Sequence, residues 1–387
     1  MKILLVHNKY LHQGGEDTVF EAEYELLVSK GHDVEKVVFD NKELGGSLDK
    51  ISLLWKVFFN LKSLNTIDRN IASFKPEIIH VHNFFPIASP SIFYSANKHK
   101  VPILMTLHNY RLICPSALML RNGKVCELCI KDKFPFRSIL FACYRNSRIQ
   151  SFLLSSMLYA HKLLGTWESK IDRYITLTHF AKEKFLYSSL KIDSSKFVIK
   201  PNFTNNDKYE YVKEEYCLFV GRLSEEKGIG VLLESFSISK RQLIVIGDGP
   251  LKEMVERYVN EYTNITYLGF QNKDVILEIM LKAKALVFPS ICLETFGMTI
   301  IEAFSCGTPI ICSSIGAPQE LVIDGLNGFK FQVGDANSLN DKVELLFKDS
   351  VLYNDMCKNA RLEYEKKYTA EKNYEQLIAI YRDVIND

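Results

Sequence analysis

The sequence predicts a doubly wound α/β protein of two domains, and three observations predict it. At 387 residues the chain is too long for one ordinary core, and 47% apolar with 24% charged residues excludes a disordered chain. Short β-branched apolar runs alternate with amphipathic helical stretches through both halves. Those runs are continuously apolar rather than alternating, which marks strands buried on both faces, as in parallel sheets covered by helices.

In the first half the strands are expected at Ile3–Val6, Val34–Phe39, Ile78–Val81, Ile103–Leu107 and Tyr174–Leu177, with helices at Asp17–Lys30 and Ile92–His99 between them. The second half restarts the rhythm with Cys217–Val220, Gln242–Ile246, Ile265–Leu268, Ala285–Phe288 and Ile310–Cys312. Between the halves, Lys200-Pro-Asn-Phe-Thr-Asn-Asn-Asp207 reads as a polar linker. The expected domains are therefore 1–200, carrying an insertion over about 111–150, and 201–367. In the tail, 368–387, Tyr374, Leu377, Ile378 and Tyr381 recur at helical spacing, which predicts a last amphipathic helix available to fold back on the first domain.

Composition narrows the class further. Gly 19 and Pro 11 are ordinary and exclude collagen-like or low-complexity chains. The chain starts on an apolar strand run without a charged leader, and the most membrane-like stretch, Ser151–Ala160, is half the length of a span. The expected location is cytoplasmic, or peripheral on the inner face of the plasma membrane, with reduced cysteines. The net charge of +2 conceals an asymmetry: residues 1–200 hold 28 Lys/Arg against 18 Asp/Glu, and residues 201–387 hold 20 against 28. A half at +10 suits an anionic partner. Nucleic acid is disfavoured, because there is no nucleic-acid motif, no basic run and a second half of opposite sign.

Several turns have residues suited to chemistry. Strand Cys217–Val220 runs into Gly221-Arg-Leu-Ser-Glu-Glu-Lys-Gly228, where Arg222 and Lys227 bring fixed positive charge to a strand end, as a diphosphate requires. Read alone, the segment is equally a solvated turn. Ile246-Gly-Asp-Gly-Pro250 is a second glycine turn. After Ala285–Phe288, a loop carries Glu294, Gly297 is placed to open a helix, and Glu302 follows inside that helix among Ile300, Ile301, Ala303 and Phe304. Two carboxylates flanking a helix end can hold a nucleotide sugar by its hydroxyls; the alternative is that Glu302 pairs with a surface lysine.

Taken in order, these motifs resemble the retaining glycosyltransferases of family 4, which have the two-domain GT-B fold. The resemblance rests on Gly221-Arg222 to Lys227-Gly228, Gly247-Asp-Gly-Pro250, the two glutamates with seven residues between them, Gly307-Thr-Pro309, and Gly316-Ala-Pro-Gln-Glu320 to Gly325-Leu-Asn-Gly328. It implies two Rossmann-like domains facing across a crevice. Arg222 and Lys227 are then expected on the donor diphosphate, Glu294 on the transferred sugar, Glu302 on the ribose, and the backbone of Phe296 and Gly297 on sugar or phosphate. In the first half it implies that Gly14-Gly15 lies by the phosphates, and that His108, beyond the buried Ile103–Leu107 strand, reaches the transferred sugar. His80 and His82 are strand-end runners-up.

The activity so implied is transfer from a UDP- or GDP-sugar to a glycan or polyprenyl-phosphate-linked acceptor in cell-surface polysaccharide biosynthesis. No Asp-x-Asp motif occurs, so transfer without a catalytic metal is expected, with positive side chains and a helix end neutralising the leaving diphosphate. Lys131–Arg148, with Phe134, Phe136, Phe141 and Tyr144, is a candidate surface for an anionic membrane, or else the insertion's own core. Cys114, Cys126, Cys129 and Cys143 include one two-residue spacing suited to a structural zinc, against the alternative of ordinary thiols. A nucleotide-sugar epimerase or phosphorylase of the same fold, and a non-catalytic carbohydrate-binding protein, are the competing classes. A dinucleotide dehydrogenase is disfavoured, since the first strand leads into His7-Asn-Lys-Tyr10 rather than a Gly-x-Gly-x-x-Gly turn.

Overall fold

The computed structural model describes residues 1–9, 14–41, 56–206, 209 and 212–387. Two parallel six-stranded sheets organise them. The first contains β1 (Lys2–Lys9), β2 (Asp33–Asp40), β3 (Ile78–Val81) and β4 (Ile103–Leu107). A small antiparallel hairpin, β5 (Leu120–Arg121) and β6 (Lys124–Val125), intervenes before β7 (Arg173–Thr176) and β8 (Phe197–Ile199) complete that sheet. Its order is β2-β1-β3-β4-β7-β8. Residues Ile3–Val6 are fully buried, as a central strand with helices on both faces requires.

The second sheet contains β9 (Tyr216–Val220), β10 (Gln242–Ile246), β11 (Ile265–Tyr267), β12 (Ala285–Phe288), β13 (Ile310–Ser313) and β14 (Gly328–Phe331), in the order β11-β10-β9-β12-β13-β14. Both sheets have the same construction: the chain moves outward from the first strand, then returns to its other side. This puts a topological switch point between β1 and β3 in one and between β9 and β12 in the other. Loops diverge there, leaving a recess at the carboxyl ends of the strands. This is the doubly wound arrangement expected from the continuous apolar runs. β8 and β14 were not anticipated, since each is short and β14 is broken by Gly328 and Lys330.

The chain divides into two compact units, 1–117 with 127–201 and 373–387, and 118–126 with 202–372. The last helix, Ala370–Asn386, buries Leu377, Ile378, Ile380, Tyr381 and Val384 in the same core as Ile3, Leu5, Phe20 and Leu104 of the first unit. The stretch read as a linker is not a solvated one. Lys200, Asn202, Phe203, Thr204 and Asn206 are all buried. Thr204 is fixed by its amide donating to Tyr368 O at 3.1 Å and its carbonyl accepting from Tyr364 Oη at 3.0 Å, and Asn206 donates to Ser305 Oγ at 3.1 Å. Polar composition here goes with burial rather than exposure: Lys200, Asn206 and the Thr204 backbone are hydrogen-bonded, whereas Asn202 Oδ1 and Thr204 Oγ1 are buried without a hydrogen-bond partner among the described residues. Asp207 and Tyr10, parts of the linker and first-turn readings, lie outside the described residues. No helix among the described residues is long and apolar enough to cross a membrane.

Candidate functional site

Three loops border the recess at the switch point of the second sheet. After β9, Lys227 ends a short 3-10 turn, and Gly228 follows at φ +72° with its α-carbon against the loop after β12. A Cβ at Gly228 would stand 1.9 Å from the Pro289 carbonyl oxygen, so only glycine permits the approach. The Ile291 amide donates to Glu226 O at 3.0 Å, which ties the same two loops. From β13, Gly316 at φ +63° brings the next helix against Glu294, whose carbonyl accepts from the Ala317 amide at 3.1 Å.

This framework holds a pair that sequence alone placed 67 residues apart. Lys227 Nζ donates to Glu294 Oε1 at 2.6 Å, and Ser290 Oγ donates to the same oxygen at 2.8 Å. Burial opposes the ammonium's charge, but the Glu294 carboxylate outweighs it and raises Lys227 above the ordinary lysine range. The lysine is thus a fixed positive charge at a strand-end recess. Arg222 is exposed on the same turn, whereas Phe296 and Gly297 are buried at the start of the helix Met298–Ser305, of which Gly297 is the N-cap. Glu302 sits more than a turn inside that helix. Burial pushes its carboxyl up to about 7, against an opposing pull from Lys273.

A raised carboxyl makes stability depend on pH in a defined direction. Between about 4.5 and about 7 the folded state holds a proton that the unfolded chain releases, so stability falls as pH rises through that window. Glu302→Gln is therefore expected to raise the melting temperature at pH 8 by about 2 °C or more, and to leave it nearly unchanged at pH 4.5. Differential scanning fluorimetry across pH measures this, and equal shifts at both pH values would contradict it.

The first sheet's switch point gathers imidazoles. His7 near the end of β1, His82 just after β3 and His108 just after β4 lie with His80 around Glu23, which the helix Gly15–Ser29 presents from above the sheet. His82 Nδ1 and His108 Nε2 share a hydrogen bond at 3.0 Å. A cavity of about 20 Å³, room for about one water, lies among His82, Asn83, Phe85, His108 and Arg111. Gly15 opens the helix, but its first turn carries Glu16 and Asp17. Asp17 accepts from the Gly14 amide at 2.7 Å and contacts His7 Nε2 at 2.8 Å, and Glu16 accepts from Asn83 and Asn109.

Sequence reasoning ranked His80 and His82 below His108 and did not identify Glu23 or Lys200. A signal existed: Glu23 interrupts the apolar stripe Val19, Phe20, Leu26, Leu27, and a carboxylate on a helix's core face needs a buried partner. The four clustered thiols are half-buried and none forms a disulfide. Burial, with Cys114 and Cys143 nearby, pushes Cys129 up to about 12. Among the described residues, three or more metal-ligating atoms lie within 4.8 Å of one another only at Glu23, His80 and His82.

Comparison with known proteins places these features in a family context. Residues 202–363 match the family model Glycosyl transferases group 1. The chain is 26% identical over 310 residues to an uncharacterized glycosyltransferase of Methanocaldococcus jannaschii, covering 80% of this chain and 76% of the relative. It is 26% identical over 251 residues to the capsular polysaccharide biosynthesis glycosyltransferase CapM of Staphylococcus aureus, covering 60% and 64%. Among solved structures, HepE of Anabaena in complex with UDP superposes with a TM-score of 0.69 at 15% identity, covering 99% of this chain and 100% of that one.

Proposed function

We propose that this glycosyltransferase of the GT-B fold uses the Lys227–Glu294 pair to bind a nucleotide-sugar donor, and transfers its sugar with retention to a glycan or lipid-linked acceptor in cell-surface polysaccharide biosynthesis. The observation that carries the proposal is the 2.6 Å pair at the second switch point, inside the segment that matches the family model. In the step proposed, the bond between the anomeric carbon and the diphosphate oxygen breaks as the acceptor hydroxyl oxygen bonds to that carbon. The hydroxyl proton passes to the leaving phosphate. Lys227, with Arg222 and the amino end of the helix Met298–Ser305, offsets the charge that develops on the diphosphate. Glu294 takes the transferred sugar and Glu302 the ribose, and in the first unit His108 is proposed as a sugar contact.

HepE bound to UDP and HepE bound to UDP-glucose favour UDP over GDP as the first donor to try. A panel of UDP- and GDP-sugars tested for thermal stabilisation identifies the donor, since a ligand at about 100 times its Kd adds about 2.7 kcal/mol. Stabilisation by none of them removes the proposal. Conversion of donor to an isomer without acceptor present points instead to an epimerase.

The acceptor reading includes an anionic membrane surface. On the first unit, Phe136, Phe141, Ile149, Phe152 and Leu163 are exposed apolar side chains interspersed with Lys131, Lys133, Arg137, Arg145 and Arg148, whereas Phe134 and Tyr144 are half-buried. Basic residues beside exposed aromatics suit an interfacial contact. The protein is expected to sediment with vesicles containing phosphatidylglycerol and not with phosphatidylcholine alone, and Phe136→Ser/Ile149→Ser is expected to weaken this severalfold. Equal sedimentation with both vesicles removes the membrane part. A structural zinc on Cys114, Cys126, Cys129 and Cys143 belongs to the same proposal and requires their sulfurs to draw together. One zinc per chain in freshly purified protein supports it, and none removes it.

A further inference from the structure

Two arginines of the first unit share one tyrosine ring, and among the described residues neither has a carboxylate to neutralise it. The guanidinium carbon of Arg111 lies 5.6 Å from the centre of the Tyr144 ring and 4.8 Å from that of Phe85. The guanidinium carbon of Arg145 lies 5.4 Å from the same tyrosine ring. Local composition accounts for the missing carboxylate, since neither 78–126 nor 133–167 contains an Asp or Glu. The acids between those stretches are already taken, Glu127 by Lys184 and Asp132 by Arg137. Glu16, which accepts from Asn83 and Asn109, forms no ion pair with either arginine.

The surroundings fix both side chains. The Arg111 amide donates to Asn109 Oδ1 at 3.0 Å and its Nη1 to Pro115 O at 3.3 Å, while its Nε is buried without a hydrogen-bond partner. Arg111 also borders the cavity of about 20 Å³, which admits one oxygen-sized atom. Tyr144 is anchored by its amide, which donates to Ser151 Oγ at 2.9 Å, and by its carbonyl, which accepts from the Ser147 amide at 3.2 Å. Between these anchors Arg145 and Asn146 both adopt φ +53°, a left-handed conformation that residues with a side chain seldom enter unless their surroundings impose it. The ring faces offset part of the cost of drawing a guanidinium out of water, but they carry no net charge, so the two cations repel until an anion joins them. The helix Arg148–Leu163 follows directly after its Ser147 cap with no acid in its first turn, and its amino end adds to the positive potential.

We propose that Arg111 and Arg145 form an anion subsite of the first unit, which takes the phosphate or diphosphate of a lipid-linked acceptor. Guanidinium groups match phosphate oxygens with paired N–H donors. Phe141, Ile149 and Phe152, on either side of this pair in the chain, are exposed apolar side chains that the carrier's hydrocarbon would cover and a free sugar would not. As an acceptor site the assignment rests on the proposed transfer; as an anion site it rests on these side chains alone. It narrows the acceptor to one that carries a phosphate. It also separates this contact from a general attraction to membranes: a singly charged headgroup is met by any of the nearby basic residues, whereas a diphosphate draws on both arginines together.

Flotation of the full-length protein with two kinds of phosphatidylcholine vesicle tests this, one carrying geranylgeranyl diphosphate and one carrying phosphatidylglycerol at matched charge. Arg111→Gln/Arg145→Gln is expected to weaken binding to the diphosphate vesicles by about tenfold or more, and binding to the phosphatidylglycerol vesicles by less than about threefold. Unchanged binding to the diphosphate vesicles overturns the proposal. An equal loss on both vesicles also overturns it, because only a diffuse membrane contact then remains. Arg145 is exposed, so Arg145→Gln alone keeps the test decisive where the double variant fails to fold: severalfold weaker binding to the diphosphate vesicles supports the subsite, and wild-type binding removes it. Flotation needs neither donor nor turnover. A chain that binds the lipid diphosphate and is stabilised by no nucleotide sugar therefore loses the transferase reading and keeps the anion subsite.

Discussion

Lys227→Ala is expected to lower kcat/KM by about 10²–10³-fold and to abolish thermal stabilisation by the nucleotide-sugar donor, while the unliganded protein stays folded. The rate estimate is that for losing one preorganised positive group at a developing oxyanion. Two effects act in the same direction. The ammonium proposed to meet the diphosphate is gone, and Glu294, now without the partner 2.6 Å away, presents an unneutralised carboxylate to an anionic ligand. The pair is only part-buried, with side chains 30% and 19% exposed, so water can solvate the remaining carboxylate and the fold is spared. Lys366→Ala, an exposed lysine on the helix Ser350–Lys367, serves as the control. Retained donor stabilisation in Lys227→Ala, measured by scanning fluorimetry alongside that control, would remove Lys227 from the donor site.

Lys200→Met is expected to have the largest effect on stability, about 3–5 kcal/mol, because it leaves the Glu23 carboxylate buried without its ammonium. Lys200 is 0% exposed and Glu23 1%, so water cannot compensate as it does at Lys227. Urea unfolding or the melting temperature reports this, and Glu23→Gln/Lys200→Met should recover most of the loss. A loss below about 1 kcal/mol would show that Glu23 finds other partners. The pH dependence follows from the direction of the Glu23 shift. A carboxyl depressed in the folded state contributes stability that is in place above its unfolded value, near 4.5, and is lost as pH falls through the lower folded value. Acid should therefore narrow the gap between wild type and Lys200→Met.

Much of the second unit's candidate site was legible because its segments are local. Glycine turns at strand ends, Lys227, and the spacing of Glu294 and Glu302 follow from short segments whose backbone geometry depends on the next few residues. The first unit was less legible. Glu23 belongs to a helix, His82 and His108 to two strand ends, and Lys200 to the stretch that looked like a linker; no segment contains two of these groups in a motif. Their relation arises from strand order, which places β3 beside both β1 and β4, and from the helix crossing above them. The unit boundary does fall in the stretch read as a linker, between Pro201 and Asn202, and its burial has the same origin. Asn and Lys count as solvent-seeking until tertiary contacts supply Ser305 and Glu23 as partners.

By itself the sequence determined that this is a two-sheet doubly wound protein with a basic glycine turn after β9, since apolar run length, glycine placement and residue charge are properties a segment carries wherever it goes. The tertiary structure alone decided which charges are paired. The cost of burying an ion depends on what lies within a few ångströms of it, and for Lys227 with Glu294 or Lys200 with Glu23 that neighbour is 67 or 177 residues away along the chain.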